Sequence, residues 1–356
     1  MSDLSGVIHS LQDRLRAASA SRMPLRILGG GSKDFLGAAG AGDSLSTTAL
    51  AGIVDYEPKE LVLTVRAGTP LAEVEQVLAD AGQMLPFEPP HFGSSATIGG
   101  TVATGLSGPR RAYAGAVRDF MLGARILDGT GQDLSFGGRV IKNVAGYDVT
   151  RLMAGAMGTL GVLVEMSFKV LPKPAAEATL RLEMDAAAAI ERMNLWAASP
   201  LPLSATSWHD GQLHVRLSGA VAGVAAAVAK IGGERVESGD AFWRDLREQS
   251  HAFFASASSL VRVAVPAITH ANIRNAPLAQ WIEWGGAQRW LRDVEDLGAL
   301  RESVSAMGGH VTCFRGGLPG ARVFHPLPAA LVPLHQRLKL TFDPAGILNP
   351  GRLDSF

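Results

Sequence analysis

The sequence predicts an α+β fold made of two units, the first rich in glycine loops and the second built on an antiparallel sheet. The chain has 356 residues, of which 47% are hydrophobic, and this suits about two domains with a sizeable core. A β-type alternation that starts at Val162 stops at Pro172-Lys173-Pro174, which marks the first boundary. Beyond it, two βαββ-like successions predict one antiparallel sheet with helices on one face.

The first unit opens with an amphipathic helix, because apolar residues recur at helical spacing from Leu4 to Leu15. A short strand follows at residues 25–28. It runs directly into the segment Gly29-Gly30-Gly31-Ser32-Lys33. Consecutive glycines after a strand expose backbone N–H groups that can converge on a diphosphate, whereas an ordinary glycine turn is the alternative interpretation.

A second strand, residues 61–66, precedes another predicted helix. We expect Thr69 to be its N-cap, Pro70 to hold its first position and Gly82 to end it. Residues 83–109 then lack usable periodicity and are predicted to form a long ordered loop. Loops of that length in a compact domain are usually functional.

Strands resume at residues 123–127 and 133–136, where Asp128-Gly129-Thr130-Gly131 predicts a hairpin turn. The remaining elements follow from alternation, helical spacing and Pro or Gly punctuation. They are a strand at 180–184, a helix at 186–198, a hairpin turning at Asp210-Gly211, helices at 220–230 and 243–253, strands at 260–265, 281–283 and 288–291, a helix at 293–307, a strand at 310–314, a helix at 329–340 and a Pro/Gly-punctuated tail at 342–351.

Composition excludes several classes of function. The 33 basic and 33 acidic residues cancel, so no surplus charge recruits nucleic acid or anionic lipid. Cys313, the only cysteine, forms no internal disulfide and is expected to be a buried thiol. The first residues lack the features of an export signal, and no apolar run is long enough to span a membrane, so a cytoplasmic location is expected.

Two further glycine-rich segments accompany the first. One runs from Ser94 to Gly105, and the other runs from Gly155 to Val162. Small side chains allow the backbone to approach a flat ligand closely, although close packing of the chain against itself is the alternative for each segment. Three such segments in one domain favour a long cofactor lying across them.

These segments resemble those of a known family in their order along the chain. The glycine segments, Gly146-Tyr147-Asp148 and the tail motif that ends Asn349-Pro350-Gly351 are similar to FAD-linked oxidases of the vanillyl-alcohol oxidase and p-cresol methylhydroxylase (PCMH) superfamily. More narrowly, the chain resembles the FAD-binding E subunits of bacterial glycolate oxidases. The stretches that carry this closer resemblance are residues 82–90, 107–111, 136–138 and 142–148.

The resemblance implies a bipartite PCMH-type FAD-binding domain with an inserted cap. Residues 1–174 would form the FAD-binding domain, residues 175–325 an antiparallel α+β cap domain, and residues 326–356 a C-terminal segment returning to the FAD domain. Gly29, Gly30, Gly31, Ser32 and Lys33 would hold the pyrophosphate. The residues that would contact the flavin are Pro89, Thr97, Gly99, Gly100, Ala103 and Thr104, with Gly161 and Val162 through their backbone and Asn349 from the tail.

The resemblance also implies what the chain lacks. Relatives that tether FAD covalently use a histidine near the first loop, where Lys33 and Asp34 stand here, so non-covalent FAD is expected. Related 2-hydroxy-acid dehydrogenases carry histidine clusters that are not found in this sequence. No metal site is therefore predicted, and His209 and His214 beside a hairpin turn are more simply surface residues. The sequence singles out no catalytic base.

Other side chains are weaker candidates for a substrate site. Arg110, Arg111 and Arg118 could clamp a small carboxylate, or they could form a solvated or subunit-facing basic patch. His91 and His325 could approach the flavin, and Lys142 and Tyr147 could touch substrate, or all four could be structural. Four tryptophans are expected in the cap core or at a subunit interface, namely Trp243, Trp281, Trp284 and Trp290.

The resemblance predicts an FAD-binding subunit of a complex that oxidises glycolate, a 2-hydroxy acid, to glyoxylate and passes electrons to an acceptor. Its expected partners are a paralogous FAD-binding subunit and an iron–sulfur subunit, through which a cytoplasmic complex could lie at the inner membrane. The alternative is a subunit that binds FAD for assembly or electron relay, with catalysis in the paralogous subunit.

Overall fold

The structure is a computed structural model that describes residues 4–38, 40–138, 148–317 and 322–353. Up to residue 172 the helices and strands are α1 (Leu4–Ser21), β1 (Leu25–Leu28), β2 (Asp43–Ser46), β3 (Ile53–Glu57), β4 (Val62–Arg66), α2 (Leu71–Asp80), β5 (Gln83–Met84), α3 (Ile98–Thr104), α4 (Arg111–Ala114), α5 (Val117–Phe120), β6 (Met121–Leu127), β7 (Asp133–Gly137), α6 (Val149–Met153), β8 (Val162–Lys169) and β9 (Leu171–Pro172).

Four of the strands between residues 53 and 137, together with β8, form an antiparallel sheet in the order β3-β4-β8-β6-β7. Helix α1 packs its apolar stripe, which includes Ile8, Leu11 and Leu15, against Val162 and Val164 of β8. The amphipathic pattern of the first helix therefore buries one face of this sheet. Strands β1 and β2 form a separate parallel pair that leads into the first glycine segment.

Beyond residue 172 the elements are β10 (Ala176–Glu183), α7 (Ala186–Ala197), β11 (Leu203–His209), β12 (Gln212–Gly219), α8 (Val221–Ile231), β13 (Glu234–Arg235), α9 (Gly239–Glu248), α10 (Ala252–Ala255), β14 (Leu260–Ala264), β15 (Gln280–Glu283), β16 (Gln288–Arg292), α11 (Leu297–Ala306), β17 (His310–Arg315) and α12 (Val332–Phe342). Strands β10 to β17 form one antiparallel sheet in the order β13-β10-β12-β11-β15-β16-β14-β17. The predicted α+β class and the single antiparallel sheet are confirmed.

The two faces of this larger sheet have different neighbours. Because side chains alternate along a strand, Ile282 and Leu291 point to one face, where they pack with residues of α7, α8 and α11. Trp281 and Trp290 point to the other face. There they pack with α9, α10 and residues of the first part of the chain, including Leu36 and Leu106.

The C-terminal segment returns to the first part of the chain. The amide of Leu25 donates to the carbonyl of Ile347, and the amide of Asn349 donates to the carbonyl of Leu25. Lys339 of α12 is buried, and its Nζ lies 2.7 Å from a carboxylate oxygen of Asp343. These contacts agree with a tail that belongs with the first unit, while the division into domains at residues 174 and 325 stays a prediction.

Four local predictions are wrong. Pro70, and not Thr69, caps α2, because the Thr69 hydroxyl accepts from the amide of Gly52 instead. The stretch 83–109 contains β5 and α3, since a seven-residue helix is too short to show periodicity. The helix expected at 243–253 is two helices, α9 and α10, which end and begin around Gln249. Both lie on the sheet face opposite α7, so the helices do not occupy one face only.

Candidate FAD-binding cavity

A cavity of about 800 Å³, including its open mouth, lies where all three glycine-rich segments meet the C-terminal tail. The residues that line it are Ile27, Leu28, Gly29, Gly30, Gly31, Ser32, Lys33, Asp34, Thr47, Ala67, Thr97, Gly99, Gly100, Ala103, Thr104, Met153, Ala156, Met157, Gly158, Gly161, Leu163, Asn349 and Arg352.

The first wall is the loop that follows β1. Within the described ranges, no residue accepts a hydrogen bond from the five consecutive backbone amides of Gly29 to Lys33. Runs of free N–H groups of this kind form concavities that bind anions. The loop is therefore free to donate several hydrogen bonds to a negatively charged group in the cavity.

Lys33 adds a positive charge to the same wall. The residue is buried, and its Nζ donates to the carbonyl of His91 at 3.2 Å and to the Ser32 hydroxyl at 3.4 Å. Burial lowers the pKa of Lys33 to about 8, against an opposing effect of the Glu248 carboxylate. No carboxylate among the described residues contacts this ammonium, and a buried ammonium in that state is a favourable partner for a phosphate.

Close approach of the walls explains why glycines stand at particular positions. A Cβ atom on Gly30 would lie 1.4 Å from the carbonyl oxygen of Ser95, and one on Gly99 would lie 2.7 Å from the carbonyl oxygen of Ala67. Neither contact is possible without moving the backbone. The glycines thus join the first loop, β4 and α3 into one compact frame.

Helix α3 forms the second wall. The Thr97 hydroxyl caps it by accepting from the amide of Gly100 at 3.1 Å, and Gly105 ends it with a φ of 64°. The Thr104 hydroxyl donates back to the carbonyl of Gly100 within the helix. Gly99, Gly100 and Ala103 leave this wall with little side-chain bulk, which suits a flat ring.

Asn349 fixes the third wall by joining the tail to two other segments. Its Oδ1 accepts from the amide of Ile27 at 2.7 Å, and its Nδ2 donates to the carbonyl of Met157 at 2.6 Å. A Cβ on Gly158 would lie 2.7 Å from the same Nδ2. The side-chain amide is therefore engaged with the protein, so Asn349 holds the wall in place.

Twelve of the fourteen residues predicted from the sequence line this cavity. Pro89 and Val162 do not: Pro89 is buried beside Glu88, and Val162 packs with α1 behind β8. The sequence missed Arg352, which lines the cavity and donates to the carbonyls of Asp34 and Ala38. A signal was present, since Arg352 comes directly after the tail motif.

The predicted arginine patch is not a single feature. Arg110 is buried and contacts the carboxylates of Glu88 at 3.3 Å and Glu177 at 2.7 Å, so its guanidinium is paired within the chain and is not solvated. Arg111 lies over the ring of Trp284, 4.4 Å from its centroid. The Arg118 side chain is 63% exposed and lies 3.9 Å from Asp119. The two acidic partners of Arg110 are distant in sequence, so the residues around Arg110 could not predict these ion pairs.

The histidine candidates are structural. His209 stacks on Trp281 and His214 on Phe242, with ring centroids 4.4 and 4.0 Å apart. His91 contacts Glu75 at 2.9 Å and lies outside the cavity lining. His325 bonds to Ser305 and to the amide of Val311. Within the ranges that the structure describes, no group of three or more His, Cys, Asp or Glu side chains is arranged to hold a metal ion.

Three of the four tryptophans are core residues of this chain. Trp243, Trp281 and Trp290 are 3%, 2% and 5% exposed, which agrees with the first of the two predicted roles, a place in the core. Trp284 is half-buried against Gly108 and Arg111. Cys313 is buried in β17, as predicted. Lys142 and Tyr147 lie outside the described residues.

The cavity residues fit FAD. Five free backbone amides and one buried ammonium suit a diphosphate, and the small side chains of α3 suit a planar ring system. The structure thus offers an anion site and a flat site within one continuous cavity. Among the described residues, no helix is long and apolar enough to cross a membrane.

Comparisons with known proteins agree with this geometry. Residues 8–137 match the FAD binding domain family. The structure resembles an alkyldihydroxyacetonephosphate synthase with a TM-score of 0.67 and 16% identity, over 96% of this chain and 75% of that one. Fold, cavity and family match together define a protein with an FAD-binding domain.

Sequence relatives narrow the assignment. The chain is 46% identical to the glycolate oxidase subunit GlcE of Escherichia coli over 344 residues, which are 97% of this chain and 96% of that protein. The glycolate oxidase subunit GlcD of Bacillus subtilis is 34% identical over 36% of this chain and 27% of that protein. A D-2-hydroxyglutarate dehydrogenase of Xanthomonas citri is 32% identical over 48% of this chain and 36% of that protein. The chain belongs to the GlcE family of FAD-binding subunits.

Proposed function

We propose that this chain is the FAD-binding subunit of a multi-subunit enzyme that oxidises glycolate to glyoxylate and passes the electrons to an acceptor. The observation that carries the proposal is the match to E. coli GlcE across nearly the whole of both chains. The cavity supports it, because its lining includes nearly all residues that the family pattern assigns to FAD.

The chain's own residues divide into two groups around FAD. The amides of Gly29 to Lys33 and the Lys33 ammonium would bind the pyrophosphate, while Gly99, Gly100, Ala103, Thr104 and Gly161 would lie along the flavin. Asn349 and Arg352 would position the loop and the tail, since both are bonded to backbone groups of the cavity walls. Bound FAD supplies the acceptor for the hydride that a 2-hydroxy acid gives up.

Partners and location extend the proposal. The names of GlcE and GlcD describe subunits of a glycolate oxidase, so we infer a paralogous FAD-binding partner, and an iron–sulfur subunit is the class of protein that would carry electrons onward. The complex would be cytoplasmic, with attachment to the inner membrane only through its partners.

An anaerobic reduction experiment tests the proposal. The chain is purified alone and in complex with its co-expressed partners, and each preparation is mixed with glycolate while flavin absorbance is followed. The proposal expects bleaching in the assembled complex and loss of bleaching when this chain is omitted. No bleaching by any assembled preparation would contradict it.

The same experiment addresses the alternative role. Bleaching by the partner alone, at the rate of the whole complex, would assign assembly or electron relay to this chain and catalysis to the paralogous subunit. A second measurement tests the mode of attachment. Because no histidine stands in the first glycine loop, we expect acid precipitation to release all FAD into the supernatant, and flavin retained on the denatured chain would refute non-covalent binding.

A further inference from the structure

A second cavity, of about 340 Å³ including its open mouth, lies between the larger sheet and the loop that follows α3. Its sheet wall is the face opposite α7 and α11 and includes Arg262, Glu283, Gln288 and Trp290. Its other wall includes residues 106–109. Because Ala103 and Thr104 line the proposed FAD cavity, one short stretch of chain borders both spaces.

Arg262 is the unusual residue of this cavity. Among the described residues, none forms a hydrogen bond or an ion pair with its guanidinium, whose contact is the face of Phe314 at 5.7 Å from the ring centroid. Desolvation by the surrounding protein, together with the positive charge of Arg111, lowers the pKa of Arg262 to about 10. Arg262 is half-buried, and a guanidinium that lies beside a second cation and has no counter-ion among the described residues favours the binding of an anion.

The other polar groups of the cavity already have partners. Gln249 accepts from Arg315 at 2.8 Å, Arg247 lies 2.8 Å from Glu248, and Ser107 accepts from the amide of Val117. Glu283 Oε1 accepts from the indole of Trp290 at 2.5 Å and from Gln288 at 3.3 Å. Arg262 is therefore the group of this cavity that remains for an incoming anion.

Glu283 would contact a polar, uncharged part of a ligand, such as a hydroxyl group. Its Oε2 accepts no hydrogen bond from any residue in the described ranges, while Oε1 is held by Trp290 and Gln288. Burial raises the pKa of Glu283 to about 7. A carboxyl group in this state can either donate to or accept from a hydroxyl group of a ligand.

We propose that this second cavity binds a small monocarboxylate, with the guanidinium of Arg262 holding its carboxylate and Glu283 facing its polar end. The proposal rests on the proposed function, because it places the carboxylate substrate in this chain and not in a partner. The second cavity is much smaller than the first, so only a small ligand would enter it.

The test uses oxamate, a monocarboxylate with no hydride to transfer, and oxamide, its neutral isostere. Both are titrated calorimetrically into the FAD-loaded chain and into the assembled complex. We expect one oxamate site per chain and at least roughly tenfold weaker binding of oxamide, since a charge-assisted pair is lost. Equal binding of the two compounds, or no oxamate site in either preparation, would overturn the proposal.

Two variants locate the site. Arg262→Met should weaken oxamate binding roughly 10- to 100-fold, whereas Arg292→Met, on the neighbouring strand and paired with Asp293, should bind as the parent does. Arg262→Lys should retain part of the affinity, because it keeps the charge and loses the two-pronged geometry. Unchanged affinity of a folded Arg262→Met variant would refute the assignment.

A measurement on the parent protein covers the case in which Arg262→Met does not fold. Phenylglyoxal modifies accessible arginines, and oxamate should slow modification of Arg262 several-fold without affecting Arg292. Equal rates with and without oxamate would contradict the proposal. If the complex oxidises glycolate and Arg262→Met leaves its KM for glycolate unchanged, the proposed binding site is wrong and the proposed function is not. If no complex oxidises glycolate, the proposed function is wrong, and the oxamate result still stands on its own.

Discussion

The two cavities of this chain are lined by different kinds of chemical group. The larger one is walled by glycines and small residues, and it presents main-chain amides that have no partner in the described part of the chain. The smaller one is walled mainly by larger side chains, and the Arg262 guanidinium in it has no hydrogen-bond or ion-pair partner among the described residues. A cofactor that spans several loops thus meets backbone, while the small acid we propose beside it meets side chains on a rigid sheet.

Buried ion pairs join the structures that carry the two cavities. Glu88 contacts Arg110 at 3.3 Å and Arg216 of β12 at 2.8 Å, and Arg110 contacts Glu177 of β10. Burial opposes ionisation of Glu88, but the two arginines outweigh it and hold the pKa of Glu88 below its ordinary value. The network of Glu88, Arg110, Glu177 and Arg216 therefore fixes the larger sheet against the stretch between β5 and α4.

The largest expected effect comes from a substitution in the larger, glycine-lined cavity. Gly30→Ala would place a Cβ 1.4 Å from the carbonyl oxygen of Ser95, so the first loop must move away from the stretch before α3. We expect loss of at least about 3 kcal/mol of stability and of nearly all bound FAD. Gly223→Ala is the control, because a Cβ there meets nothing within 4 Å. Flavin content and urea denaturation of both variants measure the effect. A normal flavin content in Gly30→Ala would show that FAD binding does not depend on the close contact between Gly30 and Ser95.

A comparable loss of stability is expected when the network of Glu88, Arg110, Glu177 and Arg216 is broken. Arg110→Met removes one partner of a buried network and leaves Glu88 and Glu177 under-compensated, which should cost about 3–5 kcal/mol. Arg118→Met, at an exposed neighbouring position, should change stability by less than about 0.5 kcal/mol. Oxamate affinity of folded Arg110→Met should equal that of the parent. A stable Arg110→Met variant with weakened oxamate binding would make Arg110 a substrate clamp after all.

The difference between the cavities also explains how much the sequence could predict. A main-chain site leaves its signature in the sequence, because positions such as Gly30 and Gly99 tolerate no side chain and cluster in short segments. The cavity lining was therefore predictable for most residues. Arg262 and Glu283 stand in ordinary strand patterns and line one cavity only because β14 and β15 enter one sheet beside residues 106–109.

The same difference between local and long-range information applies to the fold. Alternation and helical spacing predicted most strands and helices, since each signal is local. The order of strands in the larger sheet, the position of α9 on the face opposite α7, and the role of Arg110 depend on contacts between residues far apart in sequence. Local patterns do not carry that information.

An intermediate effect is expected from Glu283. Its pKa is raised to about 7 in the folded chain, so ionisation costs stability as pH rises from the unfolded pKa, near 4.5, to about 7. Glu283→Gln removes this cost and keeps an acceptor for Trp290. We expect the variant, relative to the parent, to gain about 2–3 kcal/mol between pH 5 and pH 8. A pH-independent difference in urea denaturation would show that Glu283 is not held in a charge-poor site.

The smallest expected effect separates the two ways of binding an anion. Lys33 has a pKa lowered to about 8, and a diphosphate beside it would raise that pKa again, so FAD binding above pH 8 must take up a proton. FAD affinity should therefore be flat below pH 7 and fall by up to about tenfold per pH unit above pH 8. Lys33→Met should bind FAD more weakly at pH 7 and lose this slope, whereas Lys230→Met, at the exposed end of α8, should keep it. Fluorescence titration of the FAD-free chain between pH 6.5 and 9.5 measures both. Because the free amides of Gly29 to Lys33 do not titrate in this range, a slope that survives in Lys33→Met would mean that Lys33 does not contact the pyrophosphate, and that the main chain binds it alone.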